Sequence, residues 1–120
     1  MKLNPDESVR VAVIGSRGIT TVDLSQYIPK NCCLIVSGGA KGVDTIAEQY
    51  AKAHGIEIMI IRPDYEKYGR SAPIRRNDLI VDNADMVLAF WDGNSHGTKY
   101  TIDYAKRTGK PVKVYVPKNE

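Results

Sequence analysis

Val36-Ser37-Gly38-Gly39-Ala40-Lys41-Gly42-Val43-Asp44 joins an apolar run, Cys33 to Val36, to a segment in which Val43, Ile46, Ala47, Tyr50 and Ala51 recur at helical spacing. The stretch reads as strand, glycine turn, helix. Three glycines in five residues let the backbone approach a ligand closely, and the helix start supplies unpaired N–H groups and the positive end of a dipole. Ser37 and Lys41 flank them with a hydroxyl and a cation, which phosphate binding adds to a mere turn. A tight crossover without a ligand explains the glycines alone. The spacing matches neither GxxxxGK[ST] nor GxGxxG, so the mechanics of those families do not follow from it.

Upstream, Val9 to Ile14 reads as a strand buried on both faces, followed by a second glycine loop, Gly15-Ser16-Arg17-Gly18. Thr20, Thr21 and Asp23 offer caps for a short helix through about Ile28, which Pro29 ends before a second strand at residues 33–37. Downstream, a helix from about Val43 to His54 stops at Gly55, and Ile56 to Ile61 is a third strand. Another helix begins near Ala72-Pro73 and runs to Asn83. Met86 to Phe90 is the fourth strand, Trp91 to Thr98 a loop, Thr98 to Thr108 a helix and Val112 to Val116 the fifth strand. Pro117 to Glu120 is a tail.

Five apolar strands alternating with helical segments predict an α/β fold, one domain over residues 1–120 with a five-stranded parallel sheet and helices on both faces. Ligands bind such sheets beyond the carboxyl ends of the strands. The loops at 15–18, 38–42 and 93–98 all follow strands at that edge.

The composition fits a soluble globular chain, with 120 residues, 42% of them hydrophobic and 26% charged. No run approaches the length of a membrane span, and Met1 to Ser8 contains no apolar stretch for a signal peptide, so a cytoplasmic protein without membrane partners is expected. A net charge of +3 is too small to argue for nucleic acid by itself. Cys32 and Cys33 are adjacent, a poor arrangement for a structural disulfide. His54 and His96 are far apart, and no metal is expected.

Gly15, Ser16 and Arg17 offer N–H groups, a hydroxyl and a guanidinium to a ligand, or form a turn with a solvent-facing arginine. Gly97-Thr98 repeats the arrangement of the central loop, with Thr98 as N-cap or phosphate contact. Between residues 62 and 76, Arg62, Lys67, Arg70, Arg75 and Arg76 interleave with Tyr65 and Tyr68. That segment suits covering a nucleotide or contacting a single strand; its bland alternative is a solvated loop. Trp91 stacks on a base or closes the core. Asp44 is a first-turn carboxylate or a ligand-hydroxyl contact.

Gly15-Ser16-Arg17, the Ser37 to Asp44 loop, Arg76 followed by Asn83-Ala84-Asp85, and Gly97-Thr98 resemble the SLOG superfamily, most closely its YspA/YpsA-like branch. The likeness runs from Val11 to about Val116. It implies a Rossmann-like three-layer sandwich that binds nucleotides or nucleotide-derived signals, including ADP-ribose-like molecules, and a homo-oligomer. Ligand contacts are then expected from Gly15, Ser16, Arg17, Ser37, Gly38, Gly39, Ala40, Lys41, Gly42, Asp44, Tyr68, Arg76, Trp91, Gly97 and Thr98.

The related "lonely guy" enzymes cleave nucleoside monophosphates with an arginine and the glutamate of PGGxGTxxE. Arg76 resembles that arginine, but Thr101 stands at the place of the glutamate. A hydroxyl does not replace a carboxylate that must stabilise an oxocarbenium-like charge. Asp44 and Asp92 are the carboxylates left as catalytic candidates, and the expectation leans away from an enzyme. The DNA-processing protein A family has a similar Ser-Gly-x-Ala-x-Gly-x-Asp loop and binds single-stranded DNA, which leaves nucleic acid as a further, less favoured partner.

Overall fold

The computed structural model describes residues 8–117; most of the polar lead and the end of the tail lie outside them. Five strands, β1 (Val9–Gly15), β2 (Cys32–Ser37), β3 (Glu57–Ile60), β4 (Met86–Phe90) and β5 (Val112–Tyr115), form one parallel sheet in the order β3-β2-β1-β4-β5. The helices are α1 (Val43–His54), α2 (Tyr65–Tyr68), α3 (Ala72–Asp82) and α4 (His96–Arg107).

Strand alternation divides the core into two layers. Val11, Val13, Ile35, Leu88 and Phe90 face α1 through Val43, Ala47 and Ala51. Ala12, Ile14, Val36, Val87 and Ala89 face α3 and α4 through Ile80, Val81, Ile102 and Ala105. Parallel strands buried on both faces need apolar residues of both parities, which is why these runs do not alternate with polar ones. Three layers therefore follow from the chain's own pattern, as expected.

The segment after β1 departs from expectation. Instead of a helix reaching Ile28 there is a 3-10 turn, Leu24–Gln26, capped by Asp23 accepting the Ser25 N–H at 3.1 Å. Asp23 caps so late that Pro29 leaves room for one turn, too short to repay helix nucleation. Leu24 and Ile28 still plug the α1 layer. Tyr100 and Tyr104 tie α4 to α3 by donating to Asp78 at 2.9 Å and Asp82 at 2.8 Å. The bond to Asp82, with burial adding to it, pushes the Tyr104 phenol up to about 12.

Strand order reverses on either side of β1. The chain leaves β1 toward β2 and α1 on one face, whereas β4 leads into α4 on the other. The ends of β1 and β4 are in register at Gly15 and Phe90, and the two crossovers part there to leave a crevice.

Candidate functional site

A cleft of about 430 Å³ fills that crevice, a size in the range of small-molecule sites. Gly15, Ser16 and Arg17 line it from the end of β1, Ala40 and Asp44 from the start of α1, Arg76 from α3, and Gly97 and Thr98 from the start of α4. Ser37, Gly38, Gly39, Lys41, Gly42, Tyr68 and Trp91 are not among its walls.

The central loop is occupied by the protein's own groups. Asp44 Oδ2 accepts the Ala40 N–H at 3.0 Å. Arg76 Nη1 donates to the Gly38 carbonyl at 2.7 Å, and Arg62 reaches the Gly39 carbonyl at 3.4 Å. The glycines make this crowding feasible. A Cβ on Gly38 would lie 2.6 Å from Arg76 Nη1, and one on Gly42, at φ +81°, 2.7 Å from the Arg17 carbonyl oxygen. Lys41 is exposed on the outer side. The Ser37 hydroxyl is fully buried and lies beside the Asp44 carboxyl, whose charged form it favours.

The start of α4 differs. Ser95 is its N-cap, so Gly97 and Thr98 lie within the first turn and Thr98 is not the cap. The preceding loop is pinned by Asp92, whose Oδ1 accepts the N–H groups of Asn94 and Ser95 at 2.8 Å each. Those two bonds hold the Asp92 carboxyl below the usual range. The Ser95 hydroxyl donates to the same carboxylate at 3.0 Å, and Ser16 Oγ lies 2.9 Å from Ser95 Oγ while accepting the Asp92 N–H at 3.1 Å. This chain of bonds fastens the loop after β4 to the loop after β1. The Trp91 indole N–H is spent on the Ser95 carbonyl at 3.0 Å and its ring packs on the α4 layer, the core-closing alternative for that residue.

Two guanidinium groups face the cleft without a carboxylate partner. Among the described residues the ion pairs are Arg10–Asp85 and Lys99–Asp103. Among the described residues, Arg76 donates to neutral acceptors, the Gly38 carbonyl and the Asn77 amide oxygen at 2.8 Å. Burial first, and the Arg17 charge as well, lower its pKa against the pull of Asp44. Burial pushes the Asp44 carboxyl up, against the Ala40 N–H and the Arg76 charge. An anion entering between Arg17 and Arg76 would relieve their mutual repulsion.

Asn77 and Ser95 line the cleft and were not singled out from the sequence. A serine directly before a helical stretch was the available signal for Ser95. Asn77 immediately follows Arg76, but no periodic rule marks an amide on a helix as a site residue. Thr101 also lines the cleft, with its hydroxyl donated to the Gly97 carbonyl at 2.8 Å. The aromatic rim is unevenly committed. Lys67 and Arg75 lie 5.2 and 5.9 Å from the Tyr68 ring centre, whereas Tyr65 is 61% exposed. Among the described residues no three His, Cys, Asp or Glu side chains gather as a metal site, and no helix is long and apolar enough to cross a membrane.

A 3-2-1-4-5 parallel sheet with its cleft at the order reversal defines a Rossmann-like α/β protein. The model of the YspA, cpYpsA-related SLOG family, YAcAr, matches residues 9–68, and the chain belongs to that family. The Gene 61 protein of Mycobacterium phage D29 is 35% identical over 85 residues, which span 66% of this chain and 68% of the phage protein. The uncharacterized SPbeta prophage-derived protein YoqJ of Bacillus subtilis (strain 168) is 35% identical over 46 residues, 36% of this chain and 27% of that protein. Among solved structures, DNA processing protein A from Helicobacter pylori, described for its single-stranded DNA binding mode, aligns with a TM-score of 0.72. It is 24% identical, with 96% of this chain and 68% of that chain covered, a likeness of fold.

Proposed function

We propose that the cleft binds a nucleotide or nucleotide-derived ligand and that the protein serves as a sensor or accessory protein. The observation that carries this reading is the pair of guanidinium groups, Arg17 and Arg76, left without carboxylate partners where the first turn of α4 enters the cleft. Such a place favours a phosphate twice over, through the helix dipole and through two cations. Family membership supports the same ligand class. Turnover is disfavoured because Thr101 is engaged with the helix backbone and Asp92 with its own loop.

The test is native mass spectrometry of the protein with AMP, ADP-ribose, NAD and a short oligonucleotide, recording complexes and free products together. An intact bound nucleotide is expected. Free base with ribose phosphate would contradict the sensor reading and turn attention to Asp44 and Asp92.

A second reading, single-stranded nucleic acid, is favoured by the exposed Tyr65 in a segment that also carries Arg62, Arg70 and Arg75, and by the DNA-binding structural neighbour. It predicts affinity that rises with strand length and falls steeply with salt. A mononucleotide cleft predicts no length dependence.

A further inference from the structure

The cleft mixes charges in a way that a plain phosphate site does not need. Asp44, 9% exposed, lines it together with Arg17 and Arg76. Asp44 and Arg76 both crowd Gly38, since a Cβ there would lie 3.1 Å from Asp44 Oδ2 and 2.6 Å from Arg76 Nη1, yet they form no ion pair. A buried carboxylate repels a ligand that is anionic along its whole length and favours one that brings hydroxyl donors. In the same cleft, Arg17 and the first turn of α4 favour an acidic group. A ligand that satisfies both sets of groups carries a phosphate with free hydroxyls close by.

We infer, on the footing of the phosphate-binding cleft argued above, that Asp44 accepts hydrogen bonds from ligand hydroxyls, so that the ligand is a ribose phosphate with free sugar hydroxyls rather than bare phosphate or a deoxy strand. Its Oδ2 already holds the Ala40 N–H at 3.0 Å, which fixes the carboxylate before the ligand arrives. Two neighbouring sugar hydroxyls match a carboxylate as a pair of donors to a pair of acceptor oxygens. The contact is one of specificity and involves no bond-making step.

Calorimetric titration of ribonucleoside 5′-monophosphates and their 2′,3′-dideoxy counterparts, against the wild type and Asp44→Asn, tests the assignment. Asparagine can keep the Ala40 bond while replacing one acceptor oxygen with a donor. The wild type is expected to prefer the ribonucleotides by about tenfold or more, as for hydrogen bonds to a charged group. Asp44→Asn is expected to erase the preference without weakening dideoxy binding, because that ligand never used the carboxylate and is relieved of its charge. Equal wild-type affinities overturn the role of Asp44 and leave the phosphate cleft standing. An equal loss for both ligand sets also overturns it, since a group that only holds the loop acts that way. If the variant does not fold, the wild-type pair of affinities decides. Absence of binding by every monophosphate overturns the ribose phosphate assignment, and the broader nucleotide reading then stands or falls with ADP-ribose and NAD.

Discussion

The starts of α1 and α4 carry similar ingredients, glycine, a hydroxyl residue and a helix dipole, and the fold uses them differently. At α1 the loop is closed from within: Asp44 takes the Ala40 N–H, Arg76 and Arg62 take the Gly38 and Gly39 carbonyls, and the Arg17 and Ile19 carbonyls crowd Gly42. At α4, a Cβ on Gly97 would meet nothing within 4 Å, and the turn opens on the cleft. Glycine density at the first loop therefore records crowding by the protein. Glycine at the second leaves room for something else.

The largest expected effect separates these two uses of glycine. Gly42→Val forces a left-handed backbone and a Cβ against a carbonyl oxygen, and should lower stability by about 3 kcal/mol or more in urea unfolding. Gly97→Ala should change it by no more than about 1 kcal/mol, since the space is open and alanine favours helix. Similar costs at both positions would break the comparison.

Next in size is the charge on the open side. Arg17→Gln should weaken nucleotide binding by roughly 10- to 100-fold, the range for hydrogen bonds to a charged group, with the melting temperature preserved because Arg17 is exposed. Titration calorimetry reads the first quantity and a thermal melt the second. Unchanged affinity would move the phosphate away from the loop after β1.

A smaller effect comes from Asp44. Its folded-state pKa is raised by burial, so the folded chain holds that proton more readily than the unfolded chain. Its ionisation therefore works against the fold, absent below the unfolded pKa and growing as pH rises until the folded pKa is passed. Asp44→Asn carries no charge at any of these pH values. Its stability relative to wild type should improve from about pH 3 to about pH 7, read as the difference between urea midpoints. A flat or falling difference would mean that Arg76 and Ala40 more than offset burial.

The smallest change is expected at Lys41, exposed and outside the cleft. Lys41→Gln should alter nucleotide affinity by less than about twofold, as for a screened surface charge. A loss matching that of Arg17→Gln would return the phosphate to the central loop.

Much of the fold was legible because buried parallel strands announce themselves as apolar runs, and β1, β4 and α1 fall where Val9 to Ile14, Met86 to Phe90 and Val43 to His54 placed them. Short elements were not. The four residues of α2 are too few for a period, and its start rests on Asp64 accepting the Lys67 N–H at 3.1 Å. α4 begins two residues before Thr98, after a loop that Asp92 folds back onto the Asn94 and Ser95 N–H groups. Half of the candidate site was legible on the same terms. Sequence marks glycine, arginine and hydroxyl residues after strands, which located Gly15 to Arg17 and Gly97-Thr98. It does not show that the Arg76 guanidinium would reach the Gly38 carbonyl, because that contact joins residues far apart in the chain, nor that the Asp44 side chain would turn back onto the Ala40 N–H rather than face a ligand.

The central claim, that ligand phosphate meets the α4 side of the cleft, is most directly tested by following backbone amide NMR signals during titration with a ribonucleoside monophosphate. The largest shifts are expected at Ser16 to Gly18, Gly97 and Thr98, with Gly39 and Lys41 little changed. Shifts concentrated on Gly39 and Lys41, with Gly97 and Thr98 still, would contradict it.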